Sequence, residues 1–175
     1  MTDTLTSMSE YSEGRLTLRK SAKLRHRTLV QNLFGKGTSV YAGPLRVIFR
    51  ALAQEDLTAS FKEAVPDLIA PVQMMITVPK KKRRHAVDRV LMRRRIREAF
   101  RLQYRPLRKK IEEAGEIRTL SLAIIYMHAE NCSMEKISAA MVTVLTKIEK
   151  KLMADSLKQT TNIQQPTTND QQRLL

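Results

Sequence analysis

The chain has 175 residues, 42% of them apolar and 28% charged, which is enough for one hydrophobic core. Its 32 Lys and Arg against 17 Asp and Glu leave a net charge of +15, so the protein repels itself unless its partner is anionic, and nucleic acid is the commonest such partner. A single cysteine, Cys132, excludes an intramolecular disulfide and a cysteine-based zinc cluster and suits a reducing cytoplasm. Residues 1–10 lack the basic start and apolar run of a signal peptide, and no segment is long enough to span a bilayer, so a cytoplasmic protein is expected.

Residues 1–17 are polar, rich in Ser and Thr and without apolar period, and read as a disordered leader. Ser21 is a candidate cap for a first helix, with Leu24, Leu29, Val30, Leu33 and Phe34 roughly on one side and Gly35 and Gly37 as stops. Lys23, Arg25, His26 and Arg27 lie at its start, against the helix dipole, which raises the question of a functional reason. Residues 38–41 and 45–52, joined by Ala-Gly-Pro, read as a hairpin. The connection 53–71 holds two prolines and one helical turn over 60–64.

Residues 72–78 form a third strand, apolar enough to be central in a sheet, and Pro79 ends its pairing. A basic helix follows with Asp88 as its N-cap. Pro106 splits it into 88–105 and 106–114, and Gly115 stops it. Residues 119–127 are a fourth strand, and 134–157, led by Ser133, a last helix with Ile137, Met141, Val144, Leu145, Ile148 and Leu152 at spacings of three and four. Residues 158–175 read as a flexible tail, leaving one domain over 18–157. The order αβββαβα defines an α+β fold, a four-stranded sheet with packed helices.

Catalytic signatures are thin. His26, His85 and His128 are scattered, Glu112, Glu113 and Asp56 read as solvated surface, and Cys132 has no basic neighbour in sequence to activate it. There is no Gly-rich phosphate loop and no metal-ligand spacing.

The charge instead is concentrated. Residues 80–110 carry fifteen Lys or Arg against Asp88 and Glu98. On a helix, Met92, Ile96, Ala99, Phe100, Gln103 and Leu107 fall on one side and Arg94, Arg97, Arg101, Arg105 and Arg108 on the other. An ordinary surface helix balances such charges with acids at i+4. Here Arg93, Arg97, Arg101 and Arg105 form a like-charge row costing about 0.2–0.5 kcal/mol per pair, and phosphate is the natural compensation. The use of arginine suits bidentate phosphate contact. A membrane-surface helix fits less well, because its apolar side is needed by the protein's own core.

Thr77-Val78-Pro79-Lys80-Lys81, Ala86-Val87-Asp88-Arg89 and Arg93-Arg94-Arg95-Ile96-Arg97-Glu98-Ala99-Phe100-Arg101, read with residues 34–40, resemble the protein component of bacterial ribonuclease P, over about residues 18–155. In that family a strand ending S-V-S-K-K leads to A-V-x-R-N-R-x-K-R-x-x-R-E-A-F. The resemblance implies a left-handed crossover into the basic helix, where the general rule gives a right-handed one. It implies binding to the catalytic RNA subunit and to the 5′ leader of precursor tRNA, with the endonucleolytic chemistry done by the RNA and its Mg²⁺. Position by position it assigns RNA contact to Lys80, Lys81, Arg89, Arg93, Arg94 and Arg97, with Arg101 extending the same face, and a leader-cleft role to Phe34.

The chain departs from the family where Val90 and Leu91 replace Asn and Arg of R-N-R, where Val30 replaces a second aromatic, and where Met75 replaces a Gly. These changes bear on protein-side metal binding and on base stacking. A ribosome-associated structural RNA-binding protein on a related fold is the alternative.

Overall fold

A computed structural model describes residues 18–61, 65–66 and 69–162, with side chains to residue 154. The expected leader over 1–17 and most of the tail lie outside this range. The elements run α1 (Arg27–Lys36), β1 (Thr38–Ala42), β2 (Leu45–Leu52), α2 (Gln54–Ser60), β3 (Val72–Thr77), α3 (Ala86–Gln103), α4 (Arg105–Ala114), β4 (Thr119–Tyr126) and α5 (Met134–Asn162). With α2 a short excursion and α3–α4 one interrupted helix, this is the expected αβββαβα order.

The four strands form one sheet in the order β1-β2-β4-β3. β1 and β2 are the expected antiparallel hairpin, in register from Ala42↔Leu45 to Thr38↔Phe49, and Gly43 takes φ +50 at the turn. β2 pairs antiparallel with β4, whereas β3 pairs parallel with β4, so the chain must cross between β3 and β4, and α3–α4 are that crossover.

The inner strands are therefore β2 and β4. β3, expected to be central, is at the edge. Val72, Gln73 and Met74 are buried whereas Met75, Ile76 and Thr77 are half-buried, and the outer edge is partly covered by the chain before α1: the Leu24 amide donates to the Met74 carbonyl (2.9 Å), and Gln73 Nε2 donates to the Ser21 carbonyl (3.1 Å).

The sheet has two differently covered faces. Val40, Val47, Phe49, Met74, Leu122, Ile124 and Tyr126 point to one side and form the main core with Met92, Ile96, Phe100, Leu107, Ile137, Met141 and Val144 of the three C-terminal helices. The alternate residues Ile48, Leu52 and Ala123 point to the other side, against Leu29 and Leu33 of α1 and Leu57 of α2. In α3, Met92, Ile96, Ala99 and Phe100 are fully buried, as the periodicity predicts. The burial of each large side chain stabilises by about 1.5–3 kcal/mol, which outweighs the few tenths per like-charge pair on the opposite side.

Several boundaries differ from expectation. α1 starts at Arg27, not near Ser21, because Lys20–Ala22 is a separate 3-10 turn and residues 23–24 run extended along β3. The helix in the long connection lies at Gln54–Ser60, before the predicted turn, with Leu57 as its single buried anchor. α3 begins at Ala86, two residues before Asp88, which sits in the first turn; His85 holds the N-cap position without a side-chain cap.

The break before Pro106 falls at Tyr104, which places Pro106 in the first turn of α4, where its missing N–H costs nothing. Gly115 ends α4 with φ +68. Ser133 does cap α5, its Oγ accepting from the Lys136 amide (3.3 Å), and the helix continues to Asn162, so residues 158–162, expected as tail, belong to it.

Gly37 joins α1 to β1 with no room for a side chain. A Cβ there would lie 2.2 Å from the Leu33 carbonyl oxygen and 2.7 Å from Ile48 Cγ2, whereas one on Gly35 would meet nothing within 4 Å. Gly37→Ala is expected to destabilise by about 1–3 kcal/mol. Gly35→Ala, inside the helix, is expected to stabilise by up to about 1 kcal/mol. Urea denaturation of the two variants checks both signs.

Candidate functional site

The path from β3 into α3 turns sharply after Pro79, whose carbonyl accepts from the amides of Lys82 and Arg83 (3.0 Å each). This turn displays Lys80, Lys81 and Lys82, all exposed. Arg83 turns back instead. It donates to the Ala129 carbonyl and pairs with Asp88 (2.7 Å), and Asp88 also accepts from Asn131 Nδ2 (2.8 Å). The Asn131 amide, then the Arg83 charge, hold the Asp88 carboxyl below its ordinary range.

Arg89, expected to contact RNA, donates one guanidinium nitrogen, Nη1, to the carbonyls of Arg83 (2.9 Å) and Arg84 (2.6 Å), bracing the turn. Arg95 donates to the Cys132 carbonyl. Cys132 itself is a buried free thiol.

The acid balance missing from the sequence pattern is partly present. Arg101 donates Nε to Glu98 (2.8 Å), which lowers the Glu98 carboxyl and raises the Arg101 guanidinium. Arg108 pairs with Glu112 (2.9 Å) and Lys110 with Glu149 (2.7 Å). Among the described residues, Arg93, Arg94 and Arg97 have no side-chain partner. They occupy consecutive turns of one side of α3, and exposed Val90 interrupts the stripe. The unbalanced charge of the helix is thus narrower than the sequence pattern, and it is centred on these three.

The stripe continues onto the N-terminal segment. A groove beside β3 is lined by Lys23, Arg25, Arg93 and Arg97 around Leu24 and Met75. The hydrogen bonds of Leu24 and Gln73 that seat the segment on β3 bring Lys23 and Arg25 there. Their position answers the question raised by their adverse place before α1: they lie on the extended segment, next to the α3 arginines, and not in the helix.

Phe34 is 48% exposed and so stands outside the core. Val30, one turn earlier on the same stripe of α1, packs partly against the cluster containing Ile48 and Ala123. Asn32, on the opposite side, is tied to Ser60 of α2 (2.8 Å). The Phe34 stripe therefore faces away from α2, toward the part of the sheet that neither helix covers. Phe34 and the α3 arginines do not meet; they border different parts of the surface. Among the described residues no group of three or more His, Cys, Asp or Glu could hold a metal ion, and no helix is long and apolar enough to cross a membrane.

An α+β domain whose parallel strand crossover is an arginine-faced helix defines a narrow structural class. Residues 18–149 match the family described as Ribonuclease P, and the chain belongs to that family. It is similar to the ribonuclease P protein component of Porphyromonas gingivalis strain W83, 29% identical over 108 residues that span 62% of this chain and 70% of the relative.

Among solved structures, a Staphylococcus aureus RNase P protein mutant with defective mRNA degradation activity matches with a TM-score of 0.50 at 20% identity, covering 74% of this chain and 90% of that one. That likeness concerns the fold. The RNase P protein from Thermotoga maritima gives a TM-score of 0.49 at 17% identity, over 71% of this chain and 96% of that one.

The loop that receives Arg83 and Arg95 is itself anchored by Tyr126, whose hydroxyl donates to the Glu130 carbonyl and accepts the Cys132 amide (3.2 Å). Burial, then the neighbouring Cys132, push the Tyr126 phenol up to about 12 from an ordinary 10. A phenol whose pKa is raised by folding contributes stability that is complete below pH 10 and is lost as the pH rises toward 12. Tyr126→Phe is expected to be less stable at neutral pH and to lose less further stability over that alkaline window. Urea unfolding across the window, with ultraviolet titration of the tyrosines, measures this.

Proposed function

We propose that the chain is the protein subunit of a ribonuclease P ribonucleoprotein, binding the catalytic RNA and the 5′ leader of precursor tRNA in the cytoplasm. The observation that carries this reading is the set of Arg93, Arg94 and Arg97, aligned on α3 and without side-chain partners among the described residues, Arg94 and Arg97 exposed and Arg93 half-buried in the wall of the groove.

Guanidinium groups so held meet phosphate oxygens in bidentate fashion at little entropic cost. Lys80 and Lys81 on the preceding turn, and Lys23 and Arg25 across the groove, extend the contact to a second run of backbone. Arg89 acts through the turn that it braces, and Arg101, held by Glu98, sits at the margin of the contact. Val90 and Leu91 offer no polar group to a metal or a base, so the protein contributes phosphate neutralisation and positioning.

The leader lies over the open part of the sheet beside Phe34, where stacking tolerates any base sequence. Mg²⁺ held by the RNA supplies the activation of water for phosphodiester hydrolysis. The chain's own residues neutralise phosphates near the cleavage point, orient the leader and leave the reacting atoms to the RNA.

The purified protein is expected to stimulate cleavage of precursor tRNA by its cognate RNA at low magnesium; absence of stimulation overturns the reading, as does ribosomal RNA as the dominant co-purified species. With about six phosphates neutralised, affinity falls on the order of a thousandfold between 50 and 200 mM salt. Arg93→Ala with Arg97→Ala should weaken binding of the catalytic RNA and flatten that salt dependence, with an unchanged circular dichroism spectrum. A flat salt response in the unmodified protein excludes this mode of contact.

A further inference from the structure

The uncovered part of the sheet carries an aromatic and a cation that no sequence motif marks. Tyr41 of β1 and Arg46 of β2 are direct partners in the hairpin register, on the face opposite the main core. The row continues through Ile125 of β4, the register partner of Arg46, to Thr77 of β3. Tyr41 is 54% exposed, although strand alternation and the single vacant face would allow it to be covered.

The guanidinium of Arg46 lies over the Tyr41 ring at 5.4 Å from the centroid. Its Nε is shut off from water and has no acceptor among the described residues. A buried donor left unmade costs about 1–3 kcal/mol, against about 0.5–1 kcal/mol gained by a cation–π contact at an exposed site. The arrangement is thus poorly repaid by the protein alone; the Nε is closed to a ligand as it is to water, and an incoming phosphate would meet the terminal guanidinium nitrogens, which are not shut off.

The backbone beneath the pair is fixed. Lys147 of α5 donates to the Tyr41 carbonyl (2.8 Å), and the turn at Gly43 sets the register. Tyr41 stands three residues, about 10 Å, along β1 from Thr38, and Thr38 follows α1 after Gly37 alone. The Phe34 stripe of α1 faces the same open ground, away from α2.

We infer, on the RNA-binding role proposed above, that Tyr41 and Arg46 form a second stacking position for an unpaired RNA nucleotide, the base lying on the free face of the tyrosine ring and its phosphate meeting the Arg46 guanidinium. The aromatic that α1 lacks at Val30 is supplied from the sheet. A strand-borne ring is held more rigidly than one near the end of a helix, and an arginine already flattened on it loses little freedom when a nucleotide arrives. The ligand class is single-stranded RNA without sequence requirement; nothing in the row reads a base edge.

A short single-stranded RNA carrying 2-aminopurine, added to the full-length protein, tests this. Fluorescence quenching on binding is expected for the unmodified protein and for Tyr41→Phe. Tyr41→Ala should abolish most of the quenching and weaken binding by ~5- to 150-fold, the range that one stacked base contributes. Arg46→Gln should weaken binding and lower its salt dependence.

Binding of the folded catalytic RNA, which depends on Arg93 and Arg97, should be unchanged in Tyr41→Ala and serves as the control for folding. Quenching that survives in Tyr41→Ala, or no quenching in the unmodified protein while the catalytic RNA still binds, overturns the stacking position alone. Loss of both kinds of binding in the unmodified protein overturns the RNA-binding role together with it.

Discussion

The carbonyl groups of the loop between β4 and α5 decide what the basic helix can do. Two of them, at Ala129 and Cys132, accept Arg83 and Arg95, and Asn131 of the same loop holds the carboxylate that pairs with Arg83. The loop is rigid because the Tyr126 hydroxyl, buried in the main core, bonds to it at two points. A backbone carbonyl carries no formal charge, so Arg95 is positioned without being neutralised, whereas Arg83 is also paired with Asp88. At Arg95 charge is preserved while geometry is imposed, and the neighbouring Arg93, Arg94 and Arg97 inherit a fixed platform.

This platform is tied to the sheet by topology. A parallel pair between β3 and β4 obliges the chain to cross the sheet, and the crossing segment must bury one side to stay there. α3 does so through Met92, Ile96, Ala99 and Phe100. Phe100 stacks on Tyr104 (5.0 Å, 16°) at the point where the helix breaks, so α4 leaves in a set direction and its charges are met by its own acids and by Glu149. The two halves of the basic stretch therefore have different tasks. The first presents charge outward, whereas the second packs through Leu107 and Ile111 and compensates its charge internally.

Much of this was legible in the sequence because periodicity reports burial. The inward side of α3, the hairpin, the apolar β4 and the cap at Ser133 all follow from residue spacing. Three things did not. The edge position of β3 was hidden because an apolar run reports coverage of both faces and says nothing of neighbours in the hydrogen-bonding direction. The division of the arginines was hidden because the acceptors of Arg83 and Arg95 are main-chain carbonyls more than thirty-five residues away, which leave no mark in side-chain sequence. Tyr41 was readable in principle: Val40 and Ala42 point into the core, so alternation alone turns Tyr41 outward. Its pairing with Arg46 needed the register that the turn at Gly43 sets.

The strand order has a consequence for how the molecule comes into being. β4 lies between β2 and β3, yet it is the last strand to be made. Until residue 126 has been added, the hairpin and β3 have no common neighbour, and α3, already synthesised, has an incomplete surface against which to bury its apolar side. The most highly charged part of the chain thus precedes its own support during synthesis. Completion of the core is a late, non-local event, of the kind that slows folding. The repulsion among the exposed arginines of α3 is then borne by an unfinished scaffold, and a polyanion present at that moment would favour the helix before the sheet could.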